Sequence, residues 1–213
     1  MTRPTSRTLV IADGGIQAFV AAALHRDRSN LTLWIPPMGW PLLDDDTQAL
    51  TPAHAAAVAE QADFLTVERI IQAPPLPWTP HNAAHWTDPA LLLVALERAA
   101  AQHCAVVDWP TVCGGDVPRL ARADELARLA TRLAWASAGS LTHETPSVAL
   151  PVADLTPVQL CELFLDLDLP AELLWWSTAR TAEPSDPADA ARWTWGQQLR
   201  DVARTRGYPV PAV

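Results

Sequence analysis

The apolar positions fall into short β-branched runs that alternate with longer stretches of helical spacing. Thr8-Leu-Val-Ile-Ala12 is a buried-strand pattern that ends at Asp13-Gly14-Gly15, and residues 16–24 then read as a helix. Leu31-Thr-Leu-Trp-Ile35 is a second strand, stopped by Pro36-Pro37, and residues 38–50 read as loop. Thr51-Pro52 opens a helix to about Gln61, because Thr is a good N-cap and Pro at the first helical position loses no hydrogen bond. Residues 64–71 supply a third strand, and the Pro-rich stretch 73–87, with Trp78, His81, His85 and Trp86, reads as irregular.

Asp88-Pro89 opens an Ala/Leu helix to about Gln102, followed by a buried strand at 104–107 and a turn at Cys113-Gly-Gly-Asp116. Residues 121–138 form a long amphipathic helix whose Leu126, Leu129, Leu133 and Trp135 are expected in the core. A fifth strand spans 147–152. Thr156-Pro157 then caps a helix, with Gln159 spaced for a capping box and Leu160, Leu163, Phe164 and Leu167 as its apolar stripe. Residues 170–176 and 189–206 are the last helical pieces. This alternation predicts one α/β domain over 1–213: a doubly wound, mostly parallel five-stranded sheet of Rossmann-like type, core about 8–176, with a helical C-terminal tail over 177–213. In such sheets ligands bind at the carboxyl ends of the strands, near the switch point of strand order. Here the first such end is Asp13-Gly14-Gly15.

Composition narrows the chemistry. The chain has 213 residues and no lysine, all 15 basic residues being Arg. That is the signature of a GC-rich genome, but it removes every Schiff-base or phosphate-binding lysine. The net charge of −9 argues against general nucleic-acid binding, which needs a basic face to displace counterions. Cys104, Cys113 and Cys161 make neither a disulfide framework nor a CxxC metal pair. No apolar run is long enough for a membrane span and no signal peptide is evident, so the expectation is a cytoplasmic protein without a membrane partner.

The segment 148–177, reading VALPVADLTPVQLCEL and then DLDLPAELLWWS, resembles the tail of the 7-cyano-7-deazaguanine synthases. These are PP-loop N-type ATP pyrophosphatases of the queuosine pathway, with an adenine-nucleotide alpha-hydrolase type of fold. The likeness extends diffusely over 8–209. It implies an enzyme that uses ATP and magnesium to activate a deazapurine carboxylate and form a nitrile with ammonia. It also implies a homodimer and a zinc ion held by four cysteines.

The residues that would carry that chemistry depart from the family pattern. The PP-loop reads S-G-G-x-D-S in the family and Asp13-Gly14-Gly15-Ile16-Gln17-Ala18 here. An active loop holds pyrophosphate on hydroxyls and backbone N–H groups at a helix N-terminus. Asp13 can take such an N–H itself and repel an anion. Two like charges about 4 Å apart cost on the order of 4 kcal/mol at an effective dielectric near 20, about a thousandfold in affinity. Pro89-Ala90 stands where the family has Arg-Asn. Thr178, Ser185, Ala188 and Ala191 stand at the four zinc-cysteine positions, so no zinc is expected, and Trp175, Trp176, Trp193 and Trp195 are expected to pin the tail by packing instead.

The candidate cofactor-binding residues are therefore Asp13, Gly14, Gly15 and Gln17 of the eroded loop, with Arg119 and Arg122 as anion-binding candidates where relatives contact ligand. Each also has a plain structural reading, as a tight turn or as helix-terminus charge. No catalytic residue is assigned. His81 and His85 lack a third metal ligand, Asp44-Asp45-Asp46 reads as a solvated loop, and Cys113 as a small loop residue.

Three readings of function remain. The lost motifs favour a non-catalytic relative, acting as a binding or scaffold subunit in a homodimer or beside an active paralogue. The second is an active ATP-dependent enzyme with an altered motif. The third is an ATP-independent module for a small purine-like ligand, with residues 73–87 lining its pocket.

Overall fold

The computed structural model describes residues 7–25, 27–42, 45–74, 87–137, 145–177 and 187–211. Five strands form one parallel sheet: β1 (Arg7–Ile11), β2 (Leu31–Ile35), β5 (Arg69–Gln72), β6 (Cys104–Asp108) and β7 (Ser147–Ala149). Their order is β5-β2-β1-β6-β7. β1 pairs with β2 in the register Val10↔Leu33 and with β6 in the register Val10↔Asp108. Leu9, Val10 and Ile11 are fully buried, as a central parallel strand covered on both faces requires.

Helices cover both sides of the sheet. α1 (Ile16–Ala23) packs against α2 (Pro52–Leu65) and α5 (Pro157–Asp166), and α6 (Pro187–Arg206) packs on α5. α3 (Thr87–Ala101) packs against α4 (Val117–Ser137), and α3 also touches β1, β6 and β7. Phe19 of α1 lies edge-on between Phe64 and Phe164, each 6.0 Å away, which joins α1 to α2 and α5.

The doubly wound five-stranded sheet matches the expectation, with four differences in its elements. α2 continues to Leu65, taking in Phe64 and Leu65, and its left-handed C-cap Thr66 (φ 57°) ends it. The third sheet strand therefore begins only at Arg69. The stretch expected as loop carries a small antiparallel ribbon, β3 (Pro41–Leu42) with β4 (Asp45–Ala49), so Asp45 and Asp46 lie in a strand. Buried Trp40 and Leu50 close its base, with Leu50 N–H donating to Trp40 O at 2.8 Å. α4 begins earlier than expected, at Val117, and β7 ends earlier, at Ala149.

The fourth difference concerns which face of α4 is inside. Its buried residues are Ala123, Ala127 and Ala130, while Leu129, Leu133 and Trp135 are each about half exposed. Alanines at i, i+4 and i+7 let α4 approach α3 and β7 closely, and that choice turns the larger side chains outward. Hydrophobicity alone ranked the wrong face first.

Candidate site at the glycine turn

The strand order reverses between β1 and β6, which makes the carboxyl ends of these two strands the switch point. β1 runs directly into Asp13-Gly14-Gly15 and then α1. Asp13, Gly14, Gly15 and Gln17 are all buried. Gly14 has φ +78°, a conformation that glycine adopts freely. A Cβ there would stand 3.0 Å from the carbonyl oxygen of His54 and 3.2 Å from Ala57 Cβ.

Asp13 folds back on the turn. Its Oδ1 accepts the Gly15 N–H at 2.9 Å, so the first free donor of the glycine turn is already occupied. Gly15, not Asp13, is the N-cap of α1, and no side chain caps that helix. Burial pushes the Asp13 carboxyl above the ordinary carboxylate range, and the Gly15 bond pulls partly the other way. Gln17, in the first turn of α1, is 5% exposed, and its Nε2 has no acceptor among the described residues.

The turn is also covered. Gln61 on α2 donates from Nε2 to Gly14 O and to Leu173 O, both at 2.9 Å. Trp175 N–H donates to the same Gly14 carbonyl at 3.2 Å. The Trp175 ring lies 4.0 Å from that of His54, tilted by 31°, and Trp176 meets Trp175 edge-on at 5.9 Å. His54 is held by its own helix terminus, where Thr51 N–H donates to its Nδ1 at 3.1 Å in a capping box that uses His at the third position. The segment around the 3-10 turn Ala171–Leu173 thus returns over the glycine turn and is tied to it through Gln61 and Trp175.

The other predicted residues are distributed differently. Arg119 and Arg122 lie in the first two turns of α4 and are exposed, in contrast to the buried Asp13 turn. Cys113 is buried, and the Gly114-Gly115 turn after it has positive φ at both residues. Pro89 and Ala90 lie in the first turn of α3, and Ala188 and Ala191 in the first turns of α6. Thr178, Ser185, Asp44, and His81 and His85 with the rest of 75–86 lie outside the described residues. Of the four tryptophans expected to pack, Trp175 and Trp176 are buried and Trp195 packs on the core, while the side chain of Trp193 lies outside the described structure.

Sequence reasoning missed four residues: Gln61 and His54, which meet the glycine turn, and the hydrogen-bonded pair His25–Asp108, with Asp108 at the carboxyl end of β6. Asp108 ends β6 in a buried position, and its Oδ2 accepts a 2.6 Å hydrogen bond from Nε2 of His25, just after α1. A Thr followed three residues later by a hydrogen-bonding side chain was the available signal for His54. Nothing local marks Gln61 or the His25 pair, whose partners are far away in the chain.

No family model matches the chain, and no curated protein matches it. Among solved structures it is similar to a U34-tRNA thiolase from Methanococcus maripaludis determined with its [4Fe-4S] cluster, at 10% identity and a TM-score of 0.54, over 96% of this chain and 68% of that one. The likeness shows the fold. Among the described residues, no helix is long and apolar enough to cross a membrane.

Proposed function

We propose that this protein is a PP-loop-type α/β domain that no longer activates ATP and works as a binding or scaffold subunit. The observation that carries the reading is the Asp13 Oδ1–Gly15 N hydrogen bond inside a buried turn. The donors at this helix N-terminus are what a phosphate would use. An oxygen of Asp13 takes the Gly15 donor whichever protonation state the carboxyl holds, and when ionised it also repels an anion. No lysine exists in the chain to offset that charge. The turn and its neighbours therefore do not fit the triphosphate that the resemblance to deazaguanine synthases implies. The general likeness to a tRNA thiolase supports the superfamily-type fold, and it leaves deazapurine or tRNA chemistry as a matter for direct assay.

The three cysteines stand on β6, in the following loop and on α5, and all are buried. Burial pushes the Cys161 thiol up to about 12, with Glu162 nearby adding to the rise, which suits a packing residue rather than a thiolate.

Isothermal titration with magnesium and ATP tests the proposal. The wild type is expected to show no binding in the micromolar range and no pyrophosphate release with a panel of carboxylates. Micromolar binding or turnover would sink the reading. Asp13→Ser, which removes the carboxylate and restores the family's hydroxyl, is the variant in which phosphate affinity should reappear.

One observation favours a second reading, an ATP-independent module for a small neutral ligand. The side-chain donors of Gln17, Trp109 and Trp176 are buried and find no acceptor among the described residues. Gln17 in the first turn of α1 and Trp109 just past β6 both follow carboxyl ends of the central strands, where an acceptor-rich ligand such as a purine-like base would meet them. A thermal-shift screen over purines and deazapurines is the check, and an empty screen removes this reading.

A further inference from the structure

We infer that the outer face of α4 is a self-association surface that takes a second, antiparallel copy of the same helix. α4 is 21 residues long, and its alanine face already meets α3 and β7. On the neighbouring face Leu126, Leu129 and Leu133 follow one another at spacings of three and four, the repeat of a helix-pairing seam. Leu126 is half-buried against the core, while Leu129 and Leu133 are 49% and 51% exposed. Scattered single exposed leucines need no explanation, but a seam-spaced row does.

The flanking charges identify the occupant. Glu125 and Arg132 are both exposed, on the same flank of the row and at equivalent places in successive repeats. In an antiparallel pair, residues at this place face each other across the seam. Setting Leu126 of one copy against Leu129 of the other brings Glu125 opposite the second copy's Arg132. The two-fold axis then generates the reciprocal pair without any further adjustment. In the same register Leu133 falls against Arg122 of the second copy. The aliphatic stem of Arg122 can cover the leucine while its guanidinium stays in water. One register thus buries the leucine row and matches the charges twice. A self-complementary flank of this kind is what a second copy needs, and an unrelated partner would not require it.

The full chain in sedimentation equilibrium tests the inference. The wild type should show concentration-dependent dimers of twice 23.1 kDa. Leu129→Glu should give a monomer with an unchanged far-UV spectrum and with the melting temperature that the wild type has when diluted to monomer, since the side chain is exposed in the single chain. Glu125→Arg and Arg132→Glu, each placing two like-charged pairs in the seam, should each weaken the dimer by about tenfold or more. The double reversal Glu125→Arg with Arg132→Glu should recover most of that loss. A wild type that stays monomeric at the highest concentration reached overturns the inference. So does a dimer indifferent to Leu129→Glu, or a double reversal no tighter than the single ones.

Discussion

The side-chain amide of Gln61 donates to the carbonyl of Gly14 at 2.9 Å, and the same nitrogen reaches Leu173 O. One buried side chain therefore joins α2, the glycine turn at the end of β1 and the segment that returns from the C-terminal third of the chain. The Gly14 carbonyl accepts this bond and a second one from Trp175 N–H. The shape of the candidate site is thus set by residues distant in sequence as much as by its own glycines.

Replacing Gln61 with leucine keeps the apolar bulk and removes both bonds. Gly14 O then keeps only the Trp175 N–H, and Leu173 O loses its donor, in a region where Gln61 itself is 2% exposed. Leaving a buried polar group unsatisfied costs roughly 1–3 kcal/mol. Gln61→Leu should lower unfolding free energy by about 2 kcal/mol or more in urea, with the slope of the transition unchanged. A loss within experimental error would mean that water replaces the amide at no cost.

Gly14 allows a sharper expectation. Alanine there must hold φ near +78° and place a methyl 3.0 Å from the His54 carbonyl oxygen, which is backbone and cannot swing aside. Left-handed strain costs about 1–2 kcal/mol, and the crowding adds to it. Gly14→Ala should be destabilising by at least about 2 kcal/mol. Gly39 is also at positive φ, but nothing lies within 4 Å of where its Cβ would stand, so alanine there should lose only the strain. Thermal melts of the two variants, measured side by side, separate crowding from strain.

The strands were legible in the sequence because a parallel sheet buried on both faces needs continuous apolar, β-branched runs, and Thr8–Ala12 and Leu31–Ile35 supply them. The capping boxes were legible where the residue at the third position is Gln, as at Thr156, and not where it is His, as at Thr51. The face of α4 was misread because helical periodicity reports where large apolar groups lie, whereas close approach to α3 selected the alanines. The glycine turn was visible as a motif, and so was the intrusion of Asp13. Its cover was not, because Gln61 and Leu173 are 112 residues apart and no short-range pattern links them.

Thr156 offers a check on a purely local element. Its hydroxyl accepts the Gln159 N–H at 3.2 Å, and Gln159 Oε1 accepts the Thr156 N–H at 2.8 Å. Thr156→Ala removes the first of these and should cost about 1 kcal/mol, typical of a lost N-cap. Gln159→Ala should cost less, because the Gln159 N–H keeps its acceptor and the two bonds that Oε1 takes from the Thr156 N–H and hydroxyl are lost at an exposed position. Urea midpoints in the order wild type, Gln159→Ala, Thr156→Ala would bear out this ranking, and the reverse order would contradict it.

Asp13 gives a pH dependence with a definite sign. Burial raises its folded-state value above the ordinary 3.8, so between 3.8 and that raised value the unfolded chain releases the proton while the folded chain keeps it. Ionisation therefore favours the unfolded state, and the contribution of this group to stability is fully present below 3.8 and is lost as pH rises through the folded value. Asp13→Asn keeps an oxygen to accept the Gly15 N–H and removes the proton equilibrium. The variant should be more stable than the wild type at neutral pH, and the difference should shrink as pH falls toward 3.8. Urea unfolding of both proteins across pH 4–8 measures it. A difference that grows toward acid would mean that Asp13 is held ionised by its hydrogen bonds, with the opposite consequence for any anion approaching the turn.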